Sequence, residues 1–223
     1  MISYVLFVSI SARVIELLKK GVCIVTTVYF IRHAEADNTD SDGRNRPLTG
    51  KGMKDRALVT AFLQDKNIDA VLSSPYKRAI DTLADFSEKN GFNIETNEDF
   101  REHNVGAWRE RNDGSWIEEY SHFITVVCKK QYTDFTYKYP NGESLFEVQE
   151  RNIKALNEAL SRYKNKNIVI GTHGAALSTI IRYFDPAYGY DDFVAMVDIM
   201  PWAVKMVFSE SAFIRMEKID LFK

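Results

Sequence analysis

The chain has 223 residues, 45% hydrophobic and 27% charged, with a formal net charge of −2. Those values fit a globular protein and give no global electrostatic case for nucleic acid or an anionic membrane, so neither is expected as a partner. Cys23 and Cys128 lie far apart and match no metal spacing, which reads as two reduced thiols and points to the cytoplasm.

Met1 to Ile10 is apolar but lacks a basic start and a small-residue cleavage site, so it makes a poor signal peptide. No apolar run reaches bilayer-spanning length. Residues 1–24 are expected to form an extension outside the core fold, and residues 25–223 one domain.

From Val28 the chain alternates apolar strands with amphipathic helices, which predicts a three-layer α/β/α sandwich on a mostly parallel sheet. Val28–Ile31 is the first strand. Thr49 caps a helix to about Gln64, with Met53, Ala57, Leu58, Ala61 and Phe62 as its apolar face. Ala70–Leu72 is a second strand. The next helix has Ser74 as its N-cap, Pro75 as its first residue, an inner face of Ala79, Ile80, Leu83 and Phe86, and Gly91 as its end.

Phe92–Glu95 is the third strand. Residues 103–140 read as an insertion over the sheet edge, with a helix near 115–130 and a turn at Pro140-Asn141-Gly142. Ser144 to Tyr163 is a long helix with Leu145, Val148, Ile153, Leu156, Leu160 and Tyr163 on one face. Asn167–Ile170 is the fourth strand and Ala175–Tyr183 its helix. Trp202–Phe208 and Ala212–Leu221 form a hairpin turning at 209–211.

Two of the four histidines stand where a buried strand gives way to a loop: Arg32-His33, and His173 before Gly174. In open α/β sheets that edge binds ligands. A guanidinium beside an imidazole offers donors to a phosphate or carboxylate and disfavours ring protonation. A neutral imidazole can attack phosphorus. Arg78, in the first turn of the second helix, opposes the helix dipole at an end suited to anions. Glycine at 174 lets backbone approach a ligand closely. A carboxyl near this cluster could donate a proton to a leaving alkoxide and then activate water. Glu102 is one candidate, and the residues alone do not separate it from Glu98, Asp99 or Glu110.

The motifs resemble those of the histidine phosphatase superfamily, also called phosphoglycerate-mutase-like. Its Arg-His-Gly-Glu reads Arg32-His33-Ala34-Glu35 here. Its Leu-Thr-x-x-Gly reads Leu48-Thr49-Gly50-Lys51-Gly52. Its Ser-x-x-x-Arg-Ala-x-x-Thr runs from Ser74 through Arg78-Ala79 to Thr82. Its Glu-x-x-x-Gly-x-Trp is Glu102, Gly106 and Trp108, its Gly-Glu-Ser is Gly142-Glu143-Ser144, and its second His-Gly is His173-Gly174.

The resemblance covers roughly residues 26 to 210 and implies a phosphomonoester hydrolase acting on a small phosphorylated molecule. His33 would be the phosphorylated nucleophile and Glu102 the proton donor. Arg32, Arg78 and a protonated His173 would hold the phosphoryl group, with Asn38 as the first-loop asparagine. No cofactor and no metal are implied, since the cationic side chains supply the charge. A mutase returning the phosphoryl group to product is the nearest alternative, and a catalytically idle binding member a further one. Departures are Ala34 for the usual glycine, and Arg109-Glu110 where the family often has Glu-Gly. The segment from Trp108 to Tyr139 is expected to wall the substrate.

Overall fold

Strand β1 (Val25–Arg32) takes the centre of a six-stranded sheet in the computed structural model, which describes residues 25–38, 42–107 and 120–223. The expectations for residues 1–24, Trp108, Arg109 and Glu110 lie outside the described residues. The other strands are β2 (Ala70–Ser73), β3 (Ile94–Thr96), β4 (Asn167–Thr172), β5 (Trp202–Ser209) and β6 (Ala212–Ile219). Their order is β3-β2-β4-β1-β5-β6. The first four run parallel, and β5 and β6 add an antiparallel hairpin.

Successive strand side chains point to opposite faces, and both faces are covered, so the central strands are apolar throughout. Val28, Phe30, Leu72, Ile168 and Ile170 enter one core cluster; Tyr29, Ile31, Val71 and Val169 enter the other. The second cluster is closed by α1 (Gly50–Leu63) and α2 (Lys77–Asn90). A short α3 (Lys129–Thr133) precedes α4 (Leu145–Arg162), α5 (Gly174–Phe184) and α6 (Tyr190–Val197), and these close the first cluster. The result is the three-layer α/β/α arrangement, with a mixed, mostly parallel sheet.

Helix α4 begins at a capping box: Ser144 Oγ accepts from Glu147 N–H, and the Glu147 carboxylate accepts from Ser144 N–H. Helix α1 is capped by Thr49 as expected, but its buried residues are Gly52, Val59, Thr60 and Leu63, while Met53, Ala57 and Ala61 are exposed. Its apolar contribution to the core comes from Val59 and Leu63, and polar contacts hold the same face. Thr60 Oγ1 donates to Asp85 of α2 at 2.7 Å, and a side chain at Gly52 would stand 2.1 Å from the Glu35 carbonyl oxygen.

Helix α2 starts at Lys77, later than expected, because Ser74 Oγ instead accepts from Tyr76 N–H in a turn ahead of the helix. Gly91 ends it at φ 71°, and Phe92 N–H closes that end onto the Ser87 carbonyl, which pushes β3 back to Ile94. The helix expected near 115–130 is described from residue 120 and is π-helical over Phe123–Cys128. Helix α6 was not anticipated. Among the described residues no helix is long and apolar enough to cross a membrane.

Candidate active site

The register of β1 against β4 pairs Arg32 with Thr172, so His33 and His173 leave adjacent parallel strands at the same level. His33 N–H donates to the Thr172 carbonyl at 3.1 Å, and the two imidazole centroids are 5.2 Å apart. Strand β2 lies on the other side of β4 with Ser73 opposite Gly171, so Ser74 and then Arg78 enter from there. Side-by-side strand ends thus gather Arg32, His33, Arg78 and His173, and all four are buried.

His33 Nδ1 lies 2.7 Å from the Ala34 carbonyl oxygen. A carbonyl only accepts, so Nδ1 carries the proton, and the Nε2 lone pair accepts from Arg78 Nε at 3.1 Å. Burial, then the charges of Arg78 and Arg32, push His33 well below its ordinary 6.5, which keeps the ring neutral. Ala34 is fully buried, its N–H donates to Thr82 Oγ1, and its φ is not in the left-handed region. Alanine therefore fits where the family usually has glycine.

Arg32 reaches the C-terminal end of α6. Its Nη1 donates to the Met196 carbonyl at 2.7 Å and the Ile199 carbonyl at 3.2 Å. Carbonyls at a helix C-terminus favour a cation, which offsets part of the cost of burying it. Arg32 Nε is buried without a hydrogen-bond partner. Gly174 makes room for this side chain: a Cβ there would stand 3.3 Å from Arg32 Nε. Arg78 Nη1 donates to the Gly43 carbonyl at 2.6 Å, and burial lowers its pKa to about 10, so it stays charged at neutral pH.

His173 Nε2 is 2.7 Å from Ser74 Oγ, and its Nδ1 is buried without a partner. Burial, then Arg78, holds this ring well below 6.5. Burial beside two guanidiniums thus disfavours the protonated form of His173.

Glu102 Oε1 accepts from His103 N–H at 2.8 Å and from Ala176 N–H, in the first turn of α5, at 3.1 Å. The loop bearing it is held from below by Arg151 of α4. That guanidinium donates to the Asp99, Arg101 and Glu102 carbonyls and to both Glu143 carboxylate oxygens. Gly106, at φ 75°, lies against Gly142, where a Cβ would meet backbone at 2.5 Å. The Glu102 and Gly-Glu-Ser motifs are thus two sides of one contact.

All six candidate residues except His173 line a single cavity of about 230 Å³, with His173 just beneath His33. Asn38 stands at its exposed edge, and its Oδ1 accepts from Arg46 Nη1 at 2.8 Å. Arg46 also lines the cavity, and sequence reasoning missed it; it lies two residues before the recognised Leu48-Thr49-Gly50-Lys51-Gly52 segment. The part played by α6 was missed too. Glu98, one of the alternatives to Glu102, pairs with Arg44 at the surface.

The model of the histidine phosphatase superfamily (branch 1) matches residues 28–194. The chain belongs to that family. It is 29% identical over 161 residues to "Uncharacterized phosphatase PhoE" of Bacillus subtilis, covering 70% of this chain and 76% of that one. It is 28% identical over 160 residues to "Probable phosphoglycerate mutase GpmB" of Escherichia fergusonii, covering 69% and 72%. The solved structure of Bacillus stearothermophilus YhfR shares the fold, with a TM-score of 0.68 at 22% identity over 84% of this chain and 94% of that chain.

Proposed function

We propose that this protein is a phosphomonoester hydrolase working through a phosphohistidine on His33. The observation that carries the reading is the His33 ring itself. It is neutral, its Nδ1 proton is spent on a carbonyl, and its Nε2 lone pair is aimed into a buried site with two guanidiniums.

A substrate phosphate enters between Arg32, Arg78 and His173. Arg78 Nε transfers its hydrogen bond from His33 Nε2 to a phosphate oxygen, which frees the lone pair. Nε2 then attacks phosphorus in line, and the bond to the ester oxygen breaks. Protonated Glu102 gives that oxygen its proton, so the alcohol leaves neutral. In the second half Glu102 takes a proton from water, the hydroxyl attacks phosphorus, the N–P bond breaks, and phosphate leaves with His33 restored. The guanidiniums neutralise charge on the equatorial oxygens, and rigid strand ends supply position.

A mutase would use the same first half and hand the phosphoryl group back to an alcohol. Turnover of p-nitrophenyl phosphate with release of inorganic phosphate, measured for wild type and His33→Ala, tests the reading. Hydrolysis by wild type alone supports it. Equal rates in both, or none in either, overturns it, and transfer to an added alcohol without phosphate release favours the mutase.

A further inference from the structure

Above the cationic floor the cavity changes character. Beside the cationic residues its lining is apolar: Tyr120, Phe123 and Ile124 of the helical segment after residue 119, Phe193 and Val197 of α6, and Met200 form a wall. We propose that this wall selects phosphomonoesters whose alcohol part is uncharged and apolar or aromatic. The inference rests on the hydrolase reading above and names the substrate class for that same site.

The charge inventory is the first support. Among the described residues lining the cavity, the charged groups are Arg32, Arg46, Arg78 and Glu102. The phosphate takes up the charge of Arg32 and Arg78, and Arg46, the third guanidinium, is bonded to Asn38 at the exposed edge. A second anionic group seated against the apolar wall would find no counter-charge among the described residues of that wall.

The polar groups on that side are the second support, because they are already engaged. Tyr120 OH donates to Asp198 at 3.3 Å, and Tyr132 OH pairs with Ser178. Gln131 Nε2 reaches the Glu143 carbonyl. One nitrogen of each nearby cation is already bonded to protein: Arg32 Nη1 to the end of α6, Arg78 Nη1 to Gly43, and Arg46 Nη1 to Asn38. A carboxylate on the alcohol part meets carbon, whereas a ring buries apolar surface.

The test compares phenyl phosphate with 4-carboxyphenyl phosphate, using 4-carbamoylphenyl phosphate as a neutral control of similar size. The carboxyl substituent improves the leaving group, so intrinsic reactivity works against the proposal. We expect kcat/KM to fall at least about tenfold for the carboxylate and to stay within about threefold of phenyl for the amide. Phe123→Arg, or Met200→Lys should the first fail to fold, places a cation on the wall and should raise the carboxylate's kcat/KM while lowering that of phenyl phosphate. Equal or better turnover of the carboxylate by wild type overturns the proposal, as does an unchanged ratio in the folded variant. Absence of turnover on all three esters instead overturns the hydrolase reading.

Discussion

Arg151 does not line the cavity, yet replacing it should damage the site. Its side chain is 9% exposed, and it donates to both oxygens of Glu143 and to the carbonyls of Asp99, Arg101 and Glu102. Half-burial alone would raise the Glu143 carboxyl, but the Arg151 and Arg101 guanidiniums and the Asn104 N–H hold it below its ordinary range. Arg151→Met leaves that carboxylate with Arg101 as its one remaining guanidinium and strips three carbonyls of their donor.

Breaking a buried pair costs about 3–5 kcal/mol. For a chain of this size each kcal/mol moves Tm by about 2–4 °C, so a fall of roughly 6–20 °C follows. Because the Glu102 loop loses its support, kcat should drop more than KM changes. Arg151→Lys keeps the charge but loses the fork, and should lie between the two. Calorimetry paired with steady-state kinetics reads both effects. A Tm within about 2 °C of wild type together with an unchanged kcat would refute the assignment of Arg151 as a positioning residue.

Acid sensitivity should appear early. Burial lowers His33, His103 and His173 below 6.5, so the unfolded chain takes up protons that the folded chain refuses. Stability is then level above pH 6.5 and falls below it, by up to roughly 1.4 kcal/mol per ring for each pH unit. Urea melts between pH 7.5 and 5 check this, since the carboxylates add their own loss only at lower pH; a flat profile contradicts it. Gly106→Ala should be destabilising by several kcal/mol, because a Cβ at φ 75° meets Gly142 and Pro140 backbone at 2.5 Å. Wild-type stability and activity in that variant would show that the Glu102 and Gly-Glu-Ser loops do not pack as described.

Much of the site was readable in the sequence because its residues sit at strand ends. An apolar run closing on Arg32-His33 and another closing on His173-Gly174 specify both the strands and the edge where they deliver chemistry. The Ser144 capping box and the Gly91 stop were equally plain. What the sequence withheld depends on pairing across distance. The face of α1 buries Val59 and Leu63 rather than Met53, Ala57 and Ala61, and it is held by distant polar contacts with Asp85 and the Glu35 carbonyl. Helix α6 carried a local signal, Gly189 before Asp191 and Asp192, and Gly189 N–H does donate to Asp192. Nothing in that stretch announced that its C-terminal carbonyls would hold Arg32, a contact spanning 164 residues.

The most direct measurement is a rapid alkaline quench of enzyme during turnover of a 32P-labelled ester, followed by peptide mapping. Acid-labile, alkali-stable label confined to the peptide carrying His33, formed and discharged fast enough to account for kcat, is the expected outcome. Steady turnover with no labelled protein, or label on another residue, would contradict a transient N–P bond at this ring.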